Sequence, residues 1–140
     1  MIRGLARSCL VTGGLFGAVA VATGAFGAHG LAARLDASGQ AANWETASRY
    51  ALVHALALVA VGIAAAIPAG EAARRPLAAA AWCFGIGVAV FSGCLWALAL
   101  SGVKMLGAIV PIGGSLLIAG WVLFALAGSR VRDLAQPGTR

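Results

Sequence analysis

The sequence predicts an all-α membrane protein in which four transmembrane helices form a compact antiparallel bundle. Of the 140 residues, 61% are hydrophobic and only 10% are charged, whereas about a quarter of the residues in a soluble domain are charged. The hydrophobic residues also fall into four charge-free runs, and each run is long enough to cross the roughly 30 Å of hydrocarbon in a bilayer as a helix. Too few polar residues remain to cover a soluble surface, so we expect the bilayer to be the solvent.

The four runs do not alternate between apolar and polar residues, as the strands of a membrane barrel would. Because backbone groups in lipid must be hydrogen-bonded within the protein, helices are the remaining choice. We place them at about residues 9–29, 47–67, 77–100 and 105–127, in a single transmembrane domain of residues 1–129. A polar tail, residues 130–140, follows this domain and is expected on the cytoplasmic side.

The connections between the runs carry the signals of helix ends. Asn43 precedes the second run and suits an N-cap. Glu45 and Arg49 are four residues apart with the acid first, which is the favourable order for a pair on one helix face. Pro76 suits the first turn of the third helix. Only residues 101–104 separate the third and fourth runs, so these two helices must be antiparallel neighbours.

The distribution of basic residues predicts the orientation. A net charge of +6 would suggest nucleic-acid binding in a soluble protein, but here the basic residues lie at the edges of the apolar runs, and we expect no nucleic-acid partner. Lys and Arg accumulate on the cytoplasmic side of membrane proteins. Seven of them lie on the side of the amino terminus (Arg3, Arg7, Arg74, Arg75, Arg130, Arg132 and Arg140), and three lie on the other side (Arg34, Arg49 and Lys104). We therefore expect a bacterial inner (plasma) membrane protein with both termini in the cytoplasm.

Small residues recur at steps of three or four along two runs, and such stripes let helices approach closely in lipid. The first run contains Gly13, Gly17, Ala20, Gly24 and Ala28, and the third contains Gly85, Ala89, Gly93 and Ala97. The stripes suit contacts within the chain and contacts with another chain equally well. The expected partners are therefore the lipid bilayer and other membrane subunits or a second copy.

Four sequence blocks follow one another along most of the chain. They are Gly24-Ala-Phe-Gly-Ala-His29-Gly, Trp44 with Tyr50-x-x-x-His54-Ala-Leu, Phe91-Ser-Gly-Cys-Leu-Trp96-Ala-Leu, and Pro111-Ile-Gly-Gly with Gly120-Trp121. In this order they resemble the small membrane proteins of domain-of-unknown-function family 423, whose animal relatives are called transmembrane protein 256. The resemblance implies a small four-helix membrane protein and brings no established activity or catalytic residue. Its motif or interface positions are Gly24, Gly27, His29, Gly30, Trp44, Gly93, Gly113 and Gly114.

One polar layer within the bilayer is the main candidate site. With a rise of about 1.5 Å per residue, His54 and Ser92 fall at similar depth on neighbouring helices. Pro111 cannot donate a hydrogen bond to the Gly107 carbonyl and crowds it, so the fourth helix should bend there. The candidate layer consists of His54, Tyr50, Ser92, Thr23, Gly107 and Pro111.

His54 is expected to point into the bundle, because an unpaired polar group facing hydrocarbon is costly. It should be neutral, because burial disfavours the charged form and no acid lies in the spans. Its expected partners are Ser92, Tyr50 or the carbonyl near Pro111. Two interpretations stay open. One is a site for a quinone head group, a lipid head group or a proton. The other is a buried histidine with a structural role only, bonded to a neighbouring carbonyl, with Ser92 bonding back to Val88.

The sequence lacks the residues that haem, metal, phosphate or catalytic sites require. His29 and His54 differ in expected depth by well over one helical turn, so we expect no haem between them. Zinc requires three or four ligands, and these two histidines have no acids nearby, so no metal site is expected. Neither a phosphate loop nor an acid like that in the first helix of small multidrug transporters is present. No catalytic residue stands out, and an enzyme is the third choice.

Two function classes follow from these observations. The first is a structural or accessory interaction subunit of a larger membrane assembly, which accounts for the glycine stripes, the short loops and the absence of acids from the spans. The second is a small-molecule binding or transport protein that uses the layer around His54.

Overall fold

The computed structural model describes residues 2–67 and 71–130, and within them it contains five helices. They are α1 (Ile2–Ala28), α2 (Ala32–Ala37), α3 (Ala41–Ala66), α4 (Glu71–Ser101) and α5 (Met105–Gly128). All except the short α2 are long and apolar enough to cross a membrane. The predicted all-α fold with four transmembrane helices is confirmed. The predicted tail, residues 130–140, lies outside the described residues apart from Arg130.

The first three long helices begin six or seven residues earlier than the apolar runs suggest. α3 begins at Ala41 after Gln40, so Asn43 is not its N-cap. The Asn43 side chain instead donates to Gln40 Oε1 at 2.8 Å. Pro76 lies inside α4 rather than in its first turn. These helices thus extend beyond the apolar runs into segments with charged and polar residues, which are compatible with a helix outside the hydrocarbon.

α3 is the central helix of the structure. It packs along α1 on one side and along α4 on the other, while α5 packs along α4. The apolar segment of α3 is 44% buried within the protein, compared with 17% in α1 and in α5. The core lies between α3 and its neighbours, where Leu58, Val61 and Phe84 are fully buried.

This order produces a folded row of helices rather than a closed ring. α1 and α4 touch only over a short stretch. Gaps therefore remain between α1 and α4 on one face of the molecule and between α3 and α5 on the other. Each of these two gaps contains a groove.

The α4–α5 connection is closed by glycine and arginine. Gly102 adopts φ 71° and donates its N–H to the Leu98 carbonyl at 2.8 Å, as a glycine that ends a helix typically does. Arg34 of α2 donates to the Leu100 carbonyl at 2.9 Å. Because the last carbonyls of a helix have no intrahelical partner, this bond also fixes α2 against the end of α4.

Close helix approach depends on glycines, but only in part on those of the predicted stripes. Gly13 of the first stripe does contact α3, since a Cβ there would lie 2.9 Å from the Ala55 carbonyl oxygen. Gly85 and Gly93 of the α4 stripe have no neighbouring atom within 4 Å. In α4 the packed glycine is Gly87, against Leu117 of α5. Of the two uses that the sequence leaves open for the stripes, the α1 stripe packs within the chain at Gly13, and the two glycines of the α4 stripe do not pack against the described residues.

Two adjacent glycines of α5 provide a matched test of this packing. A Cβ at Gly113 would lie 2.6 Å from the backbone nitrogen of Phe91, whereas one at Gly114 would lie 3.6 Å from the Phe91 ring. Backbone cannot move aside, so we expect Gly113→Ala to lower the free energy of unfolding by about 1–3 kcal/mol. Gly114→Ala should leave it unchanged or raise it, since alanine favours a helix by about 1 kcal/mol over glycine. Denaturant titration in detergent measures both, and equal effects would contradict the packing.

Candidate functional site

His54 lies in the middle of α3 with its side chain only 4% exposed. Its ring contacts Phe84 of α4 and Trp121 of α5, at centroid distances of 5.6 and 6.1 Å. The side chain thus points into the bundle, in the direction that the sequence predicts. It brings three helices together at one point.

Both imidazole nitrogens are hydrogen-bonded. Nδ1 lies 2.8 Å from the Tyr50 backbone carbonyl one turn earlier, and the Trp121 indole N–H donates to Nε2 over 3.2 Å. An indole nitrogen is a donor only, so Nε2 must accept and the ring proton must be on Nδ1. This is the neutral imidazole expected from the sequence. Of the expected partners, only Tyr50 takes part, through its carbonyl rather than its hydroxyl.

Aromatic rings surround the imidazole. The Tyr50 ring is stacked between His54, at 5.8 Å, and Phe91, at 4.6 Å. Trp121 meets Phe84 edge-on at 5.2 Å. Such stacked and edge-to-face pairs add to stability beyond the area they bury, and they hold the ring positions fixed around His54.

A groove of about 430 Å³ opens beside this cluster, in the gap between α3 and α5. Its lining residues are Arg49, Tyr50, Val53 and His54 of α3, Phe91 of α4, and Gly114, Leu117, Ile118 and Trp121 of α5. Val53, Ile118 and Trp121 are exposed, so the groove faces the surrounding lipid. Its volume is within the range of small-molecule sites. Arg49, which pairs with Glu45, provides a cation at the edge of the groove.

A second polar cluster joins α1, α3 and α4. Thr23 accepts at its hydroxyl from Ser48, at 3.2 Å, and at its carbonyl from the Trp44 indole, at 2.8 Å. Ser48 in turn accepts from the Trp96 indole at 3.2 Å. Ser92, fully buried, donates across to the Ala47 carbonyl of α3 at 2.8 Å. The expectation that Ser92 bonds back to Val88 is wrong.

The single polar layer predicted from the sequence therefore divides into two sites. Thr23 and Ser92 belong to the second cluster, and only Tyr50 accompanies His54. Pro111 is exposed, and the neighbour of Gly107 is Leu98, 3.7 Å from a Cβ placed on the glycine. Ser92 contacts Ala47 and Thr23 contacts Ser48, which lie six or seven residues, or about 10 Å, along α3 from His54, so the expected common depth with His54 is wrong. α5 continues as one helix through Pro111, and the bend there stays a prediction.

The motif positions have different roles. A Cβ on Gly27 would overlap the Trp44 indole, so this glycine is required by the second cluster. Gly24 has no atom within 4 Å of such a Cβ, and Gly30 faces only the Phe26 side chain and carbonyl. His29 is exposed in the turn after α1.

The two histidines are not placed to share an iron. Trp44 lies against Gly27, two residues before His29, and His54 follows Trp44 by ten residues, which is about 15 Å along α3. Binding iron would also break a hydrogen bond of His54. In the described part of the chain, no group of three or more His, Cys, Asp or Glu side chains could hold a metal ion.

Sequence reasoning missed the tryptophans as site residues. Trp121 and Trp96 were motif positions, but neither was included in the layer. The signal was available, because an indole N–H deep in an apolar span needs an acceptor. Pairing by expected depth would have suggested the contact of Trp96 with Ser48. It would not have suggested that of Trp121 with His54, because the expected spans place these two residues on opposite sides of the bilayer midplane.

The hydrogen bonds predict one tautomer of His54. Solid-state NMR of the ¹⁵N-histidine-labelled protein at pH 7 should show a protonated Nδ1 and a bare Nε2. Trp121→Phe removes the indole donor and leaves the tautomer intact but shifts the Nε2 resonance, at a cost of about 1–3 kcal/mol in stability. Trp82→Phe is the control, since Trp82 is 71% exposed and lines the α1–α4 groove rather than the surroundings of His54. A proton on Nε2 would contradict the arrangement.

Comparison with known proteins agrees with the fold. Residues 23–114 match the family model described as "Protein of unknown function (DUF423)". The chain is 37% identical over 122 residues to the UPF0382 membrane protein SSP2132 of Staphylococcus saprophyticus, covering 87% of this chain and 97% of that protein. It is 38% identical over 118 residues to SH2409 of Staphylococcus haemolyticus, covering 84% and 92%. No solved structure matches. The chain is a membrane protein and belongs to the DUF423 family.

Proposed function

We propose that this membrane protein binds a lipid-soluble molecule with a planar ring head group, of the quinone type, in the groove between α3 and α5. The observation that carries the proposal is the groove itself, which opens to lipid directly beside a buried, neutral histidine. A purely structural histidine would not require such an opening.

The walls of the groove suit a planar ring. Tyr50, Phe91 and Trp121 present aromatic faces and edges along it, and aromatic pairs favour offset-stacked or edge-to-face arrangements. Ligand sites are mostly apolar with a few polar groups that fix orientation. Entry from the side, through the lipid-facing gap, suits a molecule that dissolves in the bilayer.

The polar groups of the groove match a carbonyl or a hydroxyl. His54 lines the groove with Nε2 as an acceptor, and Trp121 provides an N–H donor. If the indole turns toward a ligand, its N–H can donate to a quinone carbonyl or to a quinol hydroxyl oxygen, and the freed Nε2 can accept from a quinol hydroxyl. The pair can therefore exchange its internal hydrogen bond for one bond to a quinone or for two bonds to a quinol.

Filling the groove tests the proposal. The full-length protein in nanodiscs is titrated with a short-chain ubiquinone, and binding is followed by quenching of tryptophan fluorescence. Gly114→Leu extends a side chain into the groove without a backbone clash, so we expect affinity to fall about tenfold or more, or 1.4 kcal/mol. Gly128→Leu, on the same helix with no atom within 4 Å, should bind as the unmodified protein does. No saturable quenching, or an equal loss in both variants, would refute the proposal.

An accessory subunit of a larger membrane assembly is the second candidate. Its support is the α4 stripe, because a Cβ on Gly85 or Gly93 would meet no atom of the described residues within 4 Å and Ala89 is exposed. Small residues on a lipid-facing helix let another transmembrane helix approach closely, from another subunit or from a second copy. Gly114→Leu separates the two candidates, because Gly114 lines the α3–α5 groove and is not part of the α4 stripe. Loss of quinone binding in this variant would support the first candidate, and any subunits that co-purify through the α4 stripe should be retained.

We further propose that the protein lies in the bacterial plasma membrane with both termini in the cytoplasm, because seven basic residues lie on that side and three on the other. A reporter active only in the cytoplasm should give signal when fused after residue 140 and none when inserted at Ser38, between α2 and α3. The reverse pattern would overturn the orientation and leave the groove proposal unaffected.

A further inference from the structure

We propose that the gap between α1 and α4 holds one anionic phospholipid, with its phosphate at Arg7 and an acyl chain in the groove above Leu58. This site lies on the opposite face of the helix row from the α3–α5 groove and shares no lining residue with it. The inference does not rest on the proposed function.

The groove exists because α1 and α4 flank α3 without packing along each other. It has a volume of about 240 Å³ and is lined by Leu5, Ser8, Cys9, Thr12, Leu58, Ala81, Trp82 and Gly85. Leu58, which is 2% exposed, forms part of its floor. Trp82, which is 71% exposed, stands at its edge. An acyl chain is the apolar partner that the bilayer supplies to such a groove.

A depression that contains Arg7 adjoins the groove around α1. Gly4, Arg7, Ser8, Val11 and Thr12 line it, and Ser8 and Thr12 also line the groove. The two openings therefore place a guanidinium beside an apolar groove. An amphiphile with an anionic end and a hydrocarbon end matches this arrangement.

The polar groups of these two openings lack partners within the described residues. Arg7 makes no ion pair there. The hydroxyls of Ser8 and Thr12 make no hydrogen bond there either, whereas Thr23 and Ser115 bond back to carbonyls of their own helices. A hydroxyl in a transmembrane span is costly to leave unpaired. Phosphate and ester oxygens would accept from both hydroxyls and from the guanidinium.

Charge selects an anionic lipid over a zwitterionic one. Four arginines with described positions lie at this end of the helices: Arg7, Arg74, Arg75 and Arg130. Asp36 of α2 and Glu45 of α3 lie at the other end, and Glu71, at the start of α4, lies at the same end as the arginines. Basic residues near the cytoplasmic surface attract anionic head groups, and the excess of positive charge favours a net negative lipid.

The test uses the full chain, purified in mild detergent and exchanged with phosphatidylglycerol or phosphatidylcholine, with bound lipid counted by native mass spectrometry. We expect one phosphatidylglycerol to be retained, and phosphatidylcholine to be retained about tenfold less. Arg7→Gln should remove this preference, whereas Lys104→Gln, which deletes one charge at the other end, should not. Gly85→Leu should lower retention about tenfold by filling the groove, whereas Gly93→Leu should not, since both glycines have open space within 4 Å.

The controls separate the sources of the effect. If Gly85→Leu lowers stability, Thr12→Val tests the same groove without adding volume. Excess inorganic phosphate should not displace the lipid, because the acyl chain holds it, and displacement would show an anion site without a lipid groove. Equal retention in the Arg7 and Lys104 variants, or in the Gly85 and Gly93 variants, would overturn the proposal.

Discussion

The need to pair every polar group inside hydrocarbon is the constraint on which this structure depends. Within the described residues, no buried side-chain nitrogen or oxygen lacks a partner. Nearly all the bonds that achieve this meet α3. Through it, Trp121 connects α5 to His54, Trp96 connects α4 to Ser48, and Trp44 connects α3 to the Thr23 carbonyl of α1. Apolar packing alone gives helices in lipid little orientation, because lipid tails are as apolar as leucine. These directed bonds decide which face of each helix turns toward α3.

The hydrogen bonds in turn depend on how closely the backbones approach. Indole N–H groups reach across an interface only when the helices come near, and glycine permits this at the points where the Cβ would collide. Gly27 accommodates Trp44, and Gly120 accommodates the Phe84 ring, with a Cβ there only 2.6 Å from the nearest ring atom. Phe84 lies against both His54 and Trp121. In these contacts a glycine of one helix thus packs against an aromatic side chain of another.

The sequence predicted the features that the bilayer determines, which are the number of helices and the burial of His54. It did not predict which polar side chains contact one another. Charge-free runs gave four helices whose carboxyl-terminal ends lie within one residue of those observed, whereas three of the four begin six or seven residues earlier, because an apolar run sets only the minimum length of a helix that crosses lipid. The burial of His54 followed from the cost of an unpaired polar group. The partners did not follow, because α1 and α4 extend beyond their apolar runs at one end of the bundle and α3 extends at the other, which changes the depth of His54 relative to the other helices. Thr23 and Ser92 meet Ser48 and Ala47, about two turns of α3 from His54, and Pro111 turns outward.

A row of helices around α3 leaves two faces that the chain cannot cover by itself. The four helices follow one another in the order α1, α3, α4 and α5, so α3 and α4 each pack against two neighbours. A gap lies over α3, between α1 and α4, and another lies over α4, between α3 and α5. Above α4 the gap is lined by aromatic rings, an imidazole and, at its edge, Arg49. Above α3 it is lined by two hydroxyls and by apolar side chains, with Arg7 in the depression beside it. Since both gaps face lipid, any molecule that fills them comes from the bilayer or from another transmembrane helix. The lining of the two gaps differs, and so the row itself gives this small protein two openings of different chemistry.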